Sequence, residues 1–190
     1  MKSDIEVLYD FLEVLEAQHI TYLVVGSIAS SSYGFSRATG DIDILASISA
    51  EHIAMLVSAL KDEFYIDNKM IRRAIATGKP FNVIHFDSVF KLDIYVASKK
   101  EFDQQQLSRG KRVALLETSE RTINLASAED TILAKLVWYR KGSEISGRQL
   151  SDVKGIIKVQ GKKLDFDYMK EWADKLNIGD LLEKVLEESK

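Results

Sequence analysis

The sequence predicts a mixed α+β protein, a sheet flanked by helices and followed by a C-terminal helical bundle. Three observations carry that prediction. Short β-branched and aromatic runs alternate with helical apolar spacing through residues 1–126. From residue 127 onward the apolar residues recur only at helical intervals. Turn and cap residues separate the segments, with no Gly/Ser-rich tether between the two parts. The expected division is therefore 1–126 for an α/β domain and 127–190 for a helical subdomain packed against it.

Ser3 and Glu6 have capping-box spacing, and Ile5, Leu8, Leu12 and Leu15 follow at helical intervals, which gives a first helix ending near Gln18 and His19. Tyr22 to Val25 is a strand that stops at Gly26. A short serine-rich helix and an irregular link lead to a second strand, Asp41 to Leu45. Ser49 is placed to cap a helix that buries Ile53, Leu56, Val57 and Leu60. Phe64 to Ile66 reads as a short strand, and Asn68 to Ala76 as a helix or ordered loop closed by Gly78 and Pro80. Phe81 to Phe86 and Val89 to Val96 form a hairpin about Asp87 and Ser88. A polar surface segment, Glu101 to Ser108, precedes two edge strands, Arg112 to Leu116 and Thr122 to Leu125. The bundle then begins at Ser127, breaks at Gly142, resumes over 147–159 to Gly161, is capped again at Asp165, and closes with Leu181 to Leu186.

With 46% hydrophobic and 29% charged residues, the 190-residue chain has an ordinary globular composition. It holds no cysteine, so disulfides, thiolate metal sites and a Cys nucleophile are excluded. The three histidines, His19, His52 and His85, lack metal-ligand spacing and read as structural. No run approaches the roughly 18 apolar residues of a membrane helix, and the acidic start MKSDIEVLYDFLEVL does not resemble a signal peptide. The expectation is a cytoplasmic protein with no membrane association. A net charge of −3 gives no global attraction to nucleic acid. Arg109, Lys111 and Arg112 make a local basic cluster that a solvated strand edge also explains.

The chemistry is concentrated in residues 22–45. At Gly26 the chain can turn sharply and bring bare backbone near a ligand. Ser27 stands where a helix starts, so its hydroxyl and the next amides can hold a phosphate. Asp41 and Asp43 share one face of a strand, and Ile42 and Ile44 share the other. Two acids on one strand face repel, which water or a divalent cation relieves. A third acid, Asp93, is flanked in the same way by Leu92 and Ile94. If the two strands are neighbours, three carboxylates converge on a spot suited to one or two oxygen-ligated Mg²⁺ ions. Lys91 and Tyr95 share the face of Asp93, where a cation could meet a phosphate and a ring could stack on a base.

The ordered set Gly26-Ser27, Asp41-x-Asp43 and Asp93 resembles the DNA polymerase β-like nucleotidyltransferase superfamily. The lead-in Arg37-x-Thr39-x-Asp41-x-Asp43 is similar to bacterial proteins of the AbiEii and related toxin-type groups. Motifs carry the resemblance over about the first half of the chain, and helical layout alone carries it over the rest. It implies a nucleotidyltransferase-like mixed sheet, Mg²⁺ on Asp41, Asp43 and Asp93 as the catalytic acids, and a nucleoside triphosphate as substrate. It also implies a nucleotide-binding set of Gly26, Ser27, Arg37, Thr39, Lys135, Arg148 and Asp152. The expected reaction moves a nucleoside monophosphate to a protein, a tRNA end or a small molecule, with an antitoxin as partner if the chain is one half of a toxin–antitoxin pair. Two alternatives stay open: a non-catalytic module of the same fold that binds nucleotide or a partner protein, and an unrelated α/β protein whose acids are structural.

Overall fold

The computed structural model describes residues 2–115 and 120–189. The chain forms two compact units, Met1–Val24 with Thr39–Leu125, and Val25–Ala38 with Ala126–Lys190. Residues 25–38, which the sequence alone assigns to the first part, group with the C-terminal helices.

In the first unit, seven strands make one mixed sheet: β1 (Tyr22–Val24), β2 (Asp41–Ala46), β3 (Phe64–Tyr65), β4 (Phe81–His85), β5 (Lys91–Val96), β6 (Lys111–Val113) and β7 (Ile123–Leu125), in the order β3-β4-β5-β2-β1-β7-β6. Its helices are α1 (Asp4–Ala17), α3 (Ile53–Leu60), α4 (Asn68–Thr77) and α5 (Glu101–Ser108). The full capping box forms at Ser3 and Glu6, and α1 buries Val7, Leu8, Phe11, Leu12 and Leu15. Strand alternation sets the core: Val83, Ile44, Leu92 and Ile94 are completely buried on the face opposite the acids, each contributing roughly 1.5–3 kcal/mol.

Three local expectations change. Ser49 does not cap α3, which starts at Ile53 with no side-chain cap; its hydroxyl is taken by Glu51 and the His52 ring, which lie nearer. Helix α4 starts at Asn68 as expected, with Asp67 as its cap accepting from the Lys69 and Met70 amides, and Gly78 closes it at φ +67°. The β4–β5 turn is wider than Asp87-Ser88, because Val89 takes φ +57° and β5 begins only at Lys91. The first edge strand is Lys111–Val113; Leu116, at the end of the expected strand, lies outside the described residues. Arg112 on it pairs with Glu16 at 3.6 Å and Thr122 at 2.9 Å, so part of the basic cluster serves the sheet edge. His85 is buried, bonded to Ser88 at 2.9 Å and tilted against Phe64, a structural histidine.

The second unit contains α2 (Gly26–Tyr33), α6 (Ala128–Lys141), α7 (Gly147–Gln160), α8 (Phe166–Lys175) and α9 (Gly179–Glu187). Ser127 and Asp165 cap α6 and α8 as their spacing predicts. The end of α2 lies hard against α7: a Cβ at Gly34 would meet the Ile156 amide nitrogen at 2.9 Å. Buried Asp130 joins Ser127 at 2.8 Å and Tyr168 at 2.6 Å, tying α6 to α8. No described helix is long and apolar enough to cross a membrane.

Candidate active site

Strands β2 and β5 are adjacent and parallel, in a register that sets Asp43 beside Asp93 and Asp41 beside Lys91. The antiparallel β4–β5 pairing adds Asn82 beside Asp93. Two rows thus cross the sheet on one face, Asn82–Asp93–Asp43 and Ile84–Lys91–Asp41. The alternation that buries Ile42, Ile44, Leu92 and Ile94 leaves all three acids partly exposed on the other side.

Each acid has a donor. The Lys91 ammonium lies 3.4 Å from Asp41 Oδ2 and 3.0 Å from Asp93 Oδ2, bridging the two strands. The Asn82 amide donates to Asp93 Oδ1. The Thr39 hydroxyl donates toward Asp41, with its backbone oxygen at 2.9 Å and Oδ1 at 3.1 Å, so Thr39 anchors the start of β2. Tyr95 hydrogen-bonds Asp43, and burial followed by the Asp43 and Asp93 charges holds its phenol well above the ordinary tyrosine value. Hydrogen bonding to Asp93 likewise raises Lys91, which is fully charged at neutral pH.

The second unit assembles a different group around Asp152 of α7. Arg37 donates to it through Nε at 3.2 Å and Nη2 at 3.1 Å, and Lys135 of α6 through Nζ at 2.8 Å. Arg37 Nη2 also donates to the Ser27 hydroxyl at 2.6 Å, and Ser30 reaches Asp152 at 3.3 Å. Gly26 takes φ +60° where α2 begins, and the helix start has no side-chain cap. Burial pushes the Asp152 carboxyl up, but the bonds from Arg37 and Lys135 outweigh it and hold the group below the ordinary aspartate range. Two cations on one carboxylate leave the cluster net positive beside free amides, an electrostatic setting for phosphate.

Among the expected nucleotide-binding residues, Gly26, Ser27, Arg37, Lys135 and Asp152 come together here. Arg148 and Thr39 do not: Arg148 is exposed on α7, where Gln149 is the residue that meets Lys135, at 3.3 Å, and the Thr39 hydroxyl bonds Asp41 instead. Sequence reasoning missed Gln149, Ser30 and Asn82. Ser30 lies one helical turn beyond Ser27, and Gln149 one turn before Asp152, so helical spacing held the signal. For Asn82 the signal was strand parity, which needs the β4–β5 register before it names a partner.

The carboxylate face fits Mg²⁺ in donor chemistry, because carboxylate oxygens are the hard ligands that ion prefers. The Lys91 ammonium already draws two of the acids toward one cation. In the arrangement seen, no three acidic or histidine side chains among the described residues are gathered closely enough to hold a metal.

No protein-family model matches the chain, and no curated protein matches it in sequence. Solved structures match it in fold. The antibiotic-resistance factor ANT(2″)-Ia in complex with adenylyl-2″-tobramycin superposes with a TM-score of 0.56 at 10% identity, covering 93% of this chain and 98% of that one. An antigenic nucleotidyltransferase-like protein from Paracoccidioides brasiliensis gives 0.53 at 13% identity, over 95% and 91%. The lincosamide antibiotic adenylyltransferase LnuA, lincomycin-bound, gives 0.50 at 16% identity, over 80% and 95%. The shared property is the fold, a nucleotidyltransferase-like mixed sheet with helices.

Proposed function

We propose that this chain is a Mg²⁺-dependent nucleotidyltransferase that moves a nucleoside monophosphate from a nucleoside triphosphate to a hydroxyl of a small molecule. The observation that carries the reading is the in-register placement of Asp43 beside Asp93, with Asp41 on the same face, in a fold shared with antibiotic adenylyltransferases. Asp41, Asp43 and Asp93 would hold the divalent ion. Once bound, that ion would polarise the phosphate and lower the cost of charge building on it.

The remaining work falls to the chain's own groups. Asp93 would accept the proton as the acceptor oxygen bonds to the α-phosphorus; the bond to the β-phosphate breaks and its electron pair leaves with pyrophosphate. Arg37, Lys135, Ser27 and the first amides of α2 would neutralise phosphate charge, with Asp152 fixing the two cations in place. Thr39 and Tyr95 would hold the orientation of Asp41 and Asp43. The small-molecule acceptor rests on LnuA, which binds lincomycin, and on ANT(2″)-Ia, which holds an adenylylated tobramycin. The toxin-type subgroup rests only on the Arg37-x-Thr39 lead-in and would instead require a protein or tRNA acceptor, with an antitoxin as partner. A nucleotide-binding module without turnover is the second reading; it is favoured by the arrangement in which Lys91 bridges Asp41 and Asp93.

The deciding experiment incubates the protein with Mg²⁺, each α-labelled nucleoside triphosphate in turn, and three acceptor sets: aminoglycosides and lincosamides, bulk tRNA, and lysate proteins. Label is expected in the small-molecule set for wild type and absent for a folded Asp43→Asn. Label in tRNA or protein would move the assignment to the toxin-type reading. Nucleotide binding without transfer to any set would establish the module, and full transfer by Asp43→Asn would overturn the site.

A further inference from the structure

The carboxylate face carries its own cation. Lys91 occupies the β5 position directly beside Asp41 and two residues before Asp93, so its ammonium spans acids from both strands at 3.4 and 3.0 Å. An ammonium and a divalent ion compete for the same oxygen lone pairs. The Lys91 side chain is 39% exposed, as is a similar fraction of Asp41, so the bridge lies at the water boundary. Its long flexible stem lets the charged head swing into solvent without unfolding the strand. Asp93 is much less exposed, at 16%, and would be left a poorly solvated charge if Lys91 departed with nothing in its place. The two events are therefore coupled.

We propose that Lys91 is a tethered counter-ion for the carboxylate face, exchanged for the divalent ion on loading and thereby released to meet the phosphates of the incoming nucleotide. The proposal rests on the metal reading above and extends it to selectivity for the loaded substrate. A bare divalent ion must displace the ammonium and leave it without a partner. An ion that arrives with a nucleoside triphosphate brings an anion for the displaced lysine, so wild type favours the metal–nucleotide complex over free metal. The same exchange accounts for an arrangement in which Asp41 and Asp93 already converge on one cation while, among the described residues, no metal-holding group of three has closed.

The test uses the full chain and Mn²⁺ alone, with free ion counted by its electron paramagnetic resonance signal, followed by calorimetry with Mg²⁺ alone. Lys91→Met is expected to tighten free Mn²⁺ binding about tenfold, equivalent to ~1.4 kcal/mol, and the gain should vanish in Lys91→Met/Asp43→Asn. Lys91→Arg, which keeps the charge, should stay within about twofold of wild type. Lys91→Gln is the second neutral variant should Lys91→Met fold poorly, and a thermal melt without metal verifies each protein. If wild type binds Mn²⁺ through Asp43 and neither neutral variant binds it more tightly, the exchange is refuted while the metal reading stands. If no variant binds Mn²⁺ in an Asp43-dependent way, both fall.

Discussion

Each of the two groups contains a carboxylate whose removal can be tested, and the expected cost differs. Asp152 is 9% exposed and takes hydrogen bonds from Arg37, Lys135 and Ser30. Replacing it by alanine strands a buried lysine, so Asp152→Ala is expected to destabilise by about 3 kcal/mol, near the low end for a broken buried pair because Arg37 keeps some contact with water. Both tryptophans, Trp138 and Trp172, lie in the same unit, so their fluorescence during urea unfolding reads the loss directly. The folded carboxyl titrates below its unfolded value. Its contribution is therefore complete above about pH 4 and disappears as pH falls through the folded value. The stability gap between wild type and Asp152→Ala should close on that descent; a gap that persists unchanged to low pH would contradict the ion cluster. Asp43 is the opposite case. It lies beside another acid, so Asp43→Asn relieves repulsion worth roughly 0.2–1 kcal/mol and should leave thermal stability equal or higher while transfer is lost.

At the scale of elements, the group around Asp152 depends on how closely two backbones approach. Residue 34 ends α2 where α7 passes, and an added methyl would meet Ile156 N at 2.9 Å and Gly155 C at 3.0 Å, backbone atoms that cannot swing aside. Gly34→Ala should thus cost about 1–3 kcal/mol of overpacking and lower the urea midpoint read by tryptophan. Gly40→Ala is the control, since nothing lies within 4 Å of its added carbon. An unchanged midpoint for Gly34→Ala would mean that α2 and α7 separate freely. The helices themselves were legible in the sequence because their signals are local. Ser3 with Glu6, Ser127 with Asp130 and Asp165 with Tyr168 are read within one turn, and each cap forms. Where several polar side chains compete within a few residues, local reading fails, as at Ser49, whose hydroxyl meets Glu51 and His52 before any helix amide.

For the molecule as a whole, charge separates the acceptor classes. A net charge of −3 provides no field that gathers a polyanion. A long nucleic-acid footprint of 6–10 phosphate contacts would lose about 10³–10⁵ in affinity between 50 and 200 mM salt. Transfer to a small-molecule acceptor should accordingly proceed unchanged when excess bulk tRNA is added. Inhibition by tRNA that is relieved by salt would instead identify a nucleic-acid acceptor. The chain covers 80–95% of itself against the three structures that share its fold, so the likeness extends beyond the acid-bearing strands.

By itself the sequence determined which face of the strands bearing Asp41, Asp43 and Asp93 is acidic and which is apolar, where the capped helices begin, and that cysteine chemistry is absent, because alternation, capping and composition are properties of neighbouring residues. Only the tertiary structure decided that β2 and β5, some fifty residues apart, lie side by side with Asp43 against Asp93, and that Arg37 and Lys135 share Asp152. It also set Lys91, rather than open space, between two of the acids. Strand parity names a face but not a neighbour, and a shift of one residue would have turned every acid inward; register is fixed by burying Ile44, Leu92 and Ile94 together, a choice the whole sheet makes at once.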